Sequence, residues 1–422
     1  MNELKIGVLG LGVVGGATVQ ALKDNASIIS ARAGRTIKVT KGVTKDLESA
    51  KHLGISVSDN VDDVLNDPEI DVVVELMGGV DFAYSCVKKA LQNGKSVVTA
   101  NKAMLAYHRT ELEELAKNHH FGYEASVAGG IPVRYALRDG LPANHIMSIK
   151  GIINGTCNYI LTRMMKEGAG FENVLADAQK LGYAEANPSA DVDGFDSAHK
   201  LLILSSIAYG IDAKPENILI EGIRSIDAED ISFAKEYGYV IKLLAIAKKR
   251  NDEEVELRVH PALISSEHIL ADVDGVMNGV AIVGDKVGET MYYGAGAGGD
   301  ATASAVIANL IEIARSESAA AMMGFNKPLE SGLKLADKGD ITSKYYIRIE
   351  AKDEAGVLAK IATVLAEHKI SVENFMQKNK GSSASLLLST HSAKENDIQN
   401  ALGSIGMLDC IAKAPVMIRI EG

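Results

Sequence analysis

Residues 189–208, SADVDGFDSAHKLLILSSIA, set three aspartates, Asp191, Asp193 and Asp196, in front of an apolar helical run. Asp196 and Lys200 stand four residues apart, so on a helix they share a face. Ile203, Leu204 and Ile207 continue that stripe. A lysine on an apolar stripe is costly unless it is paired or used. Desolvation lowers its pKa, a neighbouring aspartate raises it, and such an amine can pass a proton to a developing alkoxide. Ordinary helix chemistry explains part of the cluster. Asp193 is a good N-cap residue, and Asp196 falls in the first turn, where a carboxylate suits the dipole. Capping leaves Lys200 unexplained. Upstream, a helix over 174–181 ends near Gly182, and the loop 183–192 carries Glu185 and Asp191.

A second reactive type is Cys157, in NGTCNYI. A cysteine nucleophile needs a base, commonly histidine. His145 and His199 have no spacing that supports the role, so Cys157 reads as a small packed residue.

Such groups need a scaffold and a redox partner. Leu4–Leu9 is an apolar strand that runs into Gly10, Leu11, Gly12, Val13, Val14 and Gly15, with a helical pattern through Leu22. This is G-x-G-x-x-G between strand and helix. The first glycine permits the turn, the second lets the backbone approach a pyrophosphate, and the third lets the helix pack on the strand. The helix N-terminus offers N–H groups to phosphate. Strands are predicted at Ile37–Val43, 71–76 and Ser96–Thr99, with helices between them, as at 82–93. That alternation implies a parallel, doubly wound sheet with ligands at the strands' C-terminal ends. ELMGG (75–79), with Leu76, and TANK (99–102), with Thr99 and Lys102, fall at such ends. After the second strand, Lys45 favours the 2′-phosphate of NADP and Asp46 the ribose hydroxyl of NAD. The balance leans to NADP(H). Gly294, Gly296, Gly298 and Gly299 form a permissive loop before a helix at 301–314.

The totals bound the rest. At 422 residues the chain is too long for one core. No apolar run reaches the roughly 18–20 residues of a membrane span, and no signal peptide is read at the N-terminus. Three distant cysteines fit a reducing cytosol. A net charge of −11 without a basic cluster argues against nucleic acid and anionic membranes as partners. Residues 325–344 read as a linker. Beyond them, strands at 345–351, 372–377, 385–390 and 414–421 and helices at 357–368 and 395–403 make a βαββαβ module.

The ordered set of G-x-G-x-x-G, ELMGG, TANK, YEASVAGGIP, NGTCNYIL, GYAEANPSADVDGFDSAHKL and GAGAGG resembles the homoserine dehydrogenase family with a C-terminal ACT domain, over nearly the whole chain. The resemblance implies a Rossmann-type dinucleotide-binding domain over 1–135 with a return helix at about 300–322. It implies an α+β substrate and dimerisation domain over 136–300 and an ACT domain over 345–422. It further implies reversible NAD(P)H-dependent reduction of L-aspartate 4-semialdehyde to L-homoserine, in threonine, methionine and isoleucine biosynthesis. By motif match Lys200 donates the proton, with Asp196 its partner and Lys102 beside the nicotinamide. Glu185, Asp191, Asp196, Tyr183, Gly155 and Thr156 meet the substrate. Gly182, Gly298 and Gly299 touch the cofactor. Glu124 and the carbonyls of Val127, Gly129 and Ile131 hold a monovalent cation, Na⁺ or K⁺. Asp353, Gly356, Val357, Leu358 and Asn374 match positions that bind an amino-acid effector, threonine in this family. A cytoplasmic homodimer or homotetramer is expected. The rival readings are an acylating semialdehyde dehydrogenase that uses Cys157 and a non-catalytic amino-acid sensor.

Overall fold

The computed structural model describes residues 3–327, 329, 332–379, 381 and 383–421. It divides into two units. One comprises Met1–Ile149, Ala198–Pro215 and Met277–Leu333, and the other Lys150–Ser197, Glu216–Val276 and Lys334–Gly422.

The first unit is built on a six-stranded parallel sheet. Its order is Ser56–Ser58, Ile37–Val43, Leu4–Leu9, Val72–Glu75, Ser96–Thr99 and Phe121–Gly122. The chain winds outward from Leu4–Leu9 in both directions, which is the doubly wound Rossmann order. The switch point lies between Leu4–Leu9 and Val72–Glu75, at the mouth of the glycine turn. Val72–Glu75 is buried throughout because helices cover both faces of a parallel sheet. Val8, Val74 and Val98 pack with Val19 and Leu22 of the helix Val13–Asp24 and with Val306, Leu310 and Ile313 of the helix Gly299–Arg315. The predicted strands and the helix at 82–93, seen as Asp81–Gln92, agree within a residue or two. The glycine loop starts later than predicted. Gly294 lies inside the strand Gly288–Ala295, paired with Asn278 in a hairpin.

The second unit carries the helices Gly155–Glu167, Phe171–Lys180 and Ser189–Val192, and a mixed sheet. Its strands run in the order Tyr239–Lys249, Glu254–Ser265, Val416–Glu421, Thr342–Lys352, Ser383–Thr390 and Val372–Asn379. The last four, with the helices Val357–Glu367 and Glu395–Gly406, form the predicted βαββαβ module. It has its own core of Tyr345, Ile347, Ile361, Leu365, Leu386 and Ile398. In the segment 325–344, Lys334–Leu335 pairs with Glu254 and Val255, and Lys338–Asp340 forms a 3-10 turn; Pro328 lies outside the described residues.

Two buried charge clusters fasten the module's strands to the rest of this unit. Arg419 donates to Glu395 at 2.9 and 2.5 Å and to Glu221 at 2.7 and 2.9 Å, while the Tyr345 hydroxyl donates to Glu395 at 3.0 Å. Arg348 and the Tyr346 hydroxyl both donate to Asp230, each at 2.8 Å. Among the described residues, no helix is long and apolar enough to cross a membrane.

Burial pushes the Glu395 carboxyl upward, but hydrogen bonds and charge from Arg419 outweigh it and hold the group below the ordinary glutamate value. A carboxyl depressed in the folded state adds stability that is complete above its unfolded pKa, about 4.3. That stability is lost as pH falls through the folded value. Arg419→Met is therefore expected to lower unfolding free energy by about 3–5 kcal/mol at neutral pH. The deficit should narrow below pH ~4.3, where protonated Glu395 no longer needs the cation. Urea titrations of both proteins across pH measure it; a deficit that persists unchanged into acid refutes the account.

Candidate active site

In the first unit the glycine turn does what its spacing predicts. Gly10 has φ of +97°, a conformation that penalises side chains. A Cβ at Gly15 would fall on the Gly10 carbonyl oxygen, so this glycine exists to let helix meet strand. A Cβ at Gly12 would meet no protein atom within 4 Å. Internal packing therefore does not demand glycine there. Gly12 caps Val13–Asp24 without a side-chain hydrogen bond, and the first turn holds no acidic residue, as suits an anion-binding end. Val13 and Val14 open that helix. Gly298, at φ of +117°, caps Gly299–Arg315, and a Cβ at Gly299 would lie 3.2 Å from Val13 Cγ1. The second glycine turn thus stands against the first.

The neighbouring strand ends are joined by a buried carboxylate, Glu75, which motif spacing alone did not single out. It accepts from Met77 N at 2.8 Å and from Thr99 Oγ1 at 2.7 Å. Thr99 Oγ1 in turn accepts from Asn101 N at 3.0 Å, and Asn101 Nδ2 donates to the Gly79 carbonyl at 2.7 Å. Burial pushes Glu75 above the ordinary range, with these hydrogen bonds pulling the other way. The network ties the ELMGG turn to Asn101, the residue just before the helix Lys102–Leu115. The signal available was a lone carboxylate ending the apolar run VVVE.

Lys200 is buried at 8% exposure on the helix Phe195–Tyr209, one turn after Asp196, itself at 6%. The helix starts in the second unit and continues into the first, which counts Lys200 with Lys102. Within the first unit Arg109, from Lys102's helix, donates to Ser206 Oγ at 2.5 Å and to the Ala213 carbonyl at 2.6 Å. Tyr107 meets the edge of His199, with ring centroids 5.9 Å apart. The helices bearing the two predicted lysines are thereby clamped side by side.

The second unit gathers the carboxylates. Asn154 Nδ2 donates to Asp191 Oδ1 at 2.7 Å and to Asp196 Oδ2 at 2.8 Å. Asn154 was not singled out in the sequence, although NGTCNYI contained it. Thr156 Oγ1 donates to the Tyr183 carbonyl at 2.6 Å, which ties the start of Gly155–Glu167 to the loop after Gly182. Gly155 is required, since a Cβ would lie 2.7 Å from the Val276 carbonyl. Gln179 holds the Glu185 carbonyl at 3.0 Å, and Glu185 and Tyr183 are exposed.

One reading is corrected. Asp193 does not cap the reactive helix. It ends the short helix Ser189–Val192, and its carboxylate accepts from Arg224 Nε at 2.6 Å and Nη2 at 3.2 Å. A long-range arginine outcompetes the local backbone, and Gly194 takes the position before Phe195. Cys157 is fully buried, its Sγ 3.2 Å from the Asp191 carbonyl.

Glu124 accepts from Arg134 N, Arg134 Nε and Tyr135 N, each at 3.0 Å. Its charge is thus matched by a guanidinium, and a cation at this loop would draw chiefly on main-chain oxygens. The Ile131 carbonyl also accepts from Val133 N at 2.7 Å. Ala128 and Gly129 have φ of +54° and +46°, which kinks the loop that carries the Val127 and Gly129 carbonyls. No group of three or more His, Cys, Asp or Glu that could hold a metal occurs among the described residues. At the module, Gly356 (φ +91°) caps the helix from Val357, with Asp353 and Leu358 exposed beside it. Gln377 donates to Asp353 at 3.3 Å, and Asn374 donates to Ser389 at 3.0 Å.

Comparison with known proteins follows this division. Residues 132–311 match the family model described as homoserine dehydrogenase, 10–124 its NAD-binding domain, and 345–405 the ACT domain. A Helicobacter pylori protein named homoserine dehydrogenase is 53% identical over 422 residues, covering 100% of this chain and 99% of its own. One from Neisseria gonorrhoeae is 44% identical over 432 residues, with 100% and 99% covered. The crystal structure of a homoserine dehydrogenase from Thiobacillus denitrificans superposes with a TM-score of 0.92 at 44% identity, covering 100% and 99%. A hyperthermophilic archaeal homoserine dehydrogenase in complex with NADPH gives 0.63 at 27% identity, covering 74% and 97%.

The two glycines separate packing from ligand approach. Gly12→Ala should leave the Tm unchanged within about 2 °C and weaken dinucleotide binding about tenfold or more. Gly15→Ala should lower the Tm outright. Calorimetry together with cofactor fluorescence titration checks both; tight binding by the Gly12 variant would remove that residue from the site.

Proposed function

The chain belongs to the homoserine dehydrogenase family, and on that premise we propose that it reduces L-aspartate 4-semialdehyde to L-homoserine reversibly, with Lys200 as proton donor. The observation that carries the residue assignment is one amide shared by half-buried Asp191 and buried Asp196, with Asp196 a single helical turn before a buried lysine.

When bound, the nicotinamide dinucleotide supplies a hydride from C4 to the aldehyde carbon. As charge grows on the aldehyde oxygen, the Lys200 ammonium gives it a proton; in the oxidative direction the neutral amine takes that proton back. Asp196 keeps Lys200 oriented. Glu185, Asp191 and Asp196 draw the substrate ammonium, and Tyr183, Gly155 and Thr156 form the wall beside it. Lys102 adds a second cation on the cofactor side, near Leu76 and Thr99. Gly182, Gly298 and Gly299 would each touch the dinucleotide.

NADP(H) is favoured over NAD(H). Asp46 is occupied as an N-cap, accepting from Ser49 N at 3.2 Å, which leaves exposed Lys45 as the charged group after the second strand. A monovalent cation, Na⁺ or K⁺, would be held by the carbonyls of Val127, Gly129 and Ile131, with Glu124 adding a carboxylate already matched by Arg134. Threonine would bind at Asp353, Gly356, Val357, Leu358 and Asn374 and inhibit. The enzyme would serve threonine, methionine and isoleucine biosynthesis in the cytoplasm as a homodimer or homotetramer. The three buried free cysteines are consistent with a reducing compartment. The functional division into 1–135, 136–300 and 345–422 accompanies this reading.

Purified protein should oxidise NADPH faster than NADH with aspartate semialdehyde, and threonine should slow it. Lys200→Ala should lower kcat by about 10²–10⁴-fold with cofactor binding kept. Cys157→Ser should stay active. Near-normal turnover by the Lys200 variant, or loss of activity with Cys157→Ser at unchanged Tm, overturns the assignment.

A further inference from the structure

We propose that Asn154 is a positioning residue that sets Asp191 and Asp196 at a fixed spacing for the substrate ammonium. This rests on the substrate reading above and assigns a role to a side chain outside it.

The orientation of the amide is determined by its surroundings. Asn154 is the N-cap of Gly155–Glu167, and its Oδ1 accepts from Cys157 N at 2.8 Å. That backbone N–H is a donor, so the oxygen must face it and the amino group must face away. Nδ2 has two hydrogens, and two carboxylate oxygens lie at 2.7 and 2.8 Å from it. One hydrogen serves each aspartate. The cap thus works in both directions, and the helix that fixes the oxygen also fixes the two anions. Asp191 is gripped a second time from that helix, through its carbonyl by Cys157 Sγ at 3.2 Å.

The choice of an amide has a chemical consequence. Carboxylates brought close together repel, and an arginine or lysine could hold them, but it would compete with an incoming ammonium for the same charge. A neutral donor organises both groups and adds no charge of its own. Asn154 is buried, so water does not compete for its two hydrogens.

Three variants of the full-length enzyme separate this role from capping. Serine keeps a cap acceptor and loses both amide donors; aspartate keeps the acceptor and adds a third anion; alanine loses all three functions. Asn154→Ser should hold its Tm near the parent's and raise KM for homoserine about tenfold or more, with KM for NADP⁺ unchanged. Asn154→Asp should also raise KM for homoserine at neutral pH. Its defect should shrink as pH falls and a carboxyl protonates to become a donor, a pH dependence that the serine variant lacks. Asn154→Ala should lose Tm as well. Parent-like KM for homoserine in Asn154→Ser overturns the proposal, as does an equal rise in both KM values. If the parent itself fails to oxidise homoserine, the substrate reading falls first.

Discussion

One buried guanidinium ties together two helices of the first unit. Arg109 is almost wholly enclosed, and its donors go to Ser206, Ala213 and its own Ala106 carbonyl, with Asp212 as counter-ion at 3.2 Å. An unpaired charge in that position would be strongly destabilising. The helix Lys102–Leu115 and the helix that carries Lys200 can therefore pack in one arrangement only, the one that satisfies the fork. Lys102 sits at the first turn of one helix and Lys200 in the second turn of the other, so their relative placement is inherited from a group that touches neither.

The second unit uses the same principle at its carboxylate loop. Val192 O accepts from Ile223 N at 2.8 Å, and Asp193 is paired with Arg224. Two residues before Ile223 stands Glu221, which Arg419 of the ACT module grips together with Glu395. The short segment 221–224 thus has one end in the module's buried ion cluster and the other against the short helix that carries Asp191. In this unit the ACT module and the short helix Ser189–Val192 are anchored to a common stretch of four residues, with no flexible spacer between those anchors.

Local signals in the sequence were strong where one element decides its own shape. The glycine turn, four of the six parallel strands and all six elements of the ACT module were legible because each depends on periodicity and on turn residues within about ten positions, whereas the short strands Ser56–Ser58 and Phe121–Gly122 gave no such pattern. What escaped depends on partners far away in sequence. Asp193 has every property of an N-cap, and only the fold reveals Arg224, 31 residues on, as its partner. Asn154 carries no signal of its own in the sequence, and only the fold brings Asp191 and Asp196 to its amide. Glu75 ended an apolar strand without advertising Thr99, 24 residues later. Pairing across long sequence separations, not local conformation, is what the linear pattern withholds.

The strand Val416–Glu421 lies in the middle of its sheet, parallel to Glu254–Ser265 on one side and antiparallel to Thr342–Lys352 on the other. It is also the last strand in chain order. A ribosome must therefore translate every other strand of this sheet before the one that joins them, and until then residues 262–264 of one neighbour and 344–348 of the other lack their partner. Glu221, Arg258, Glu256 and Glu395 line that gap, and Arg419 and Glu421 pair with them there. The ion clusters that lock the sheet can therefore close only when the last strand is in place.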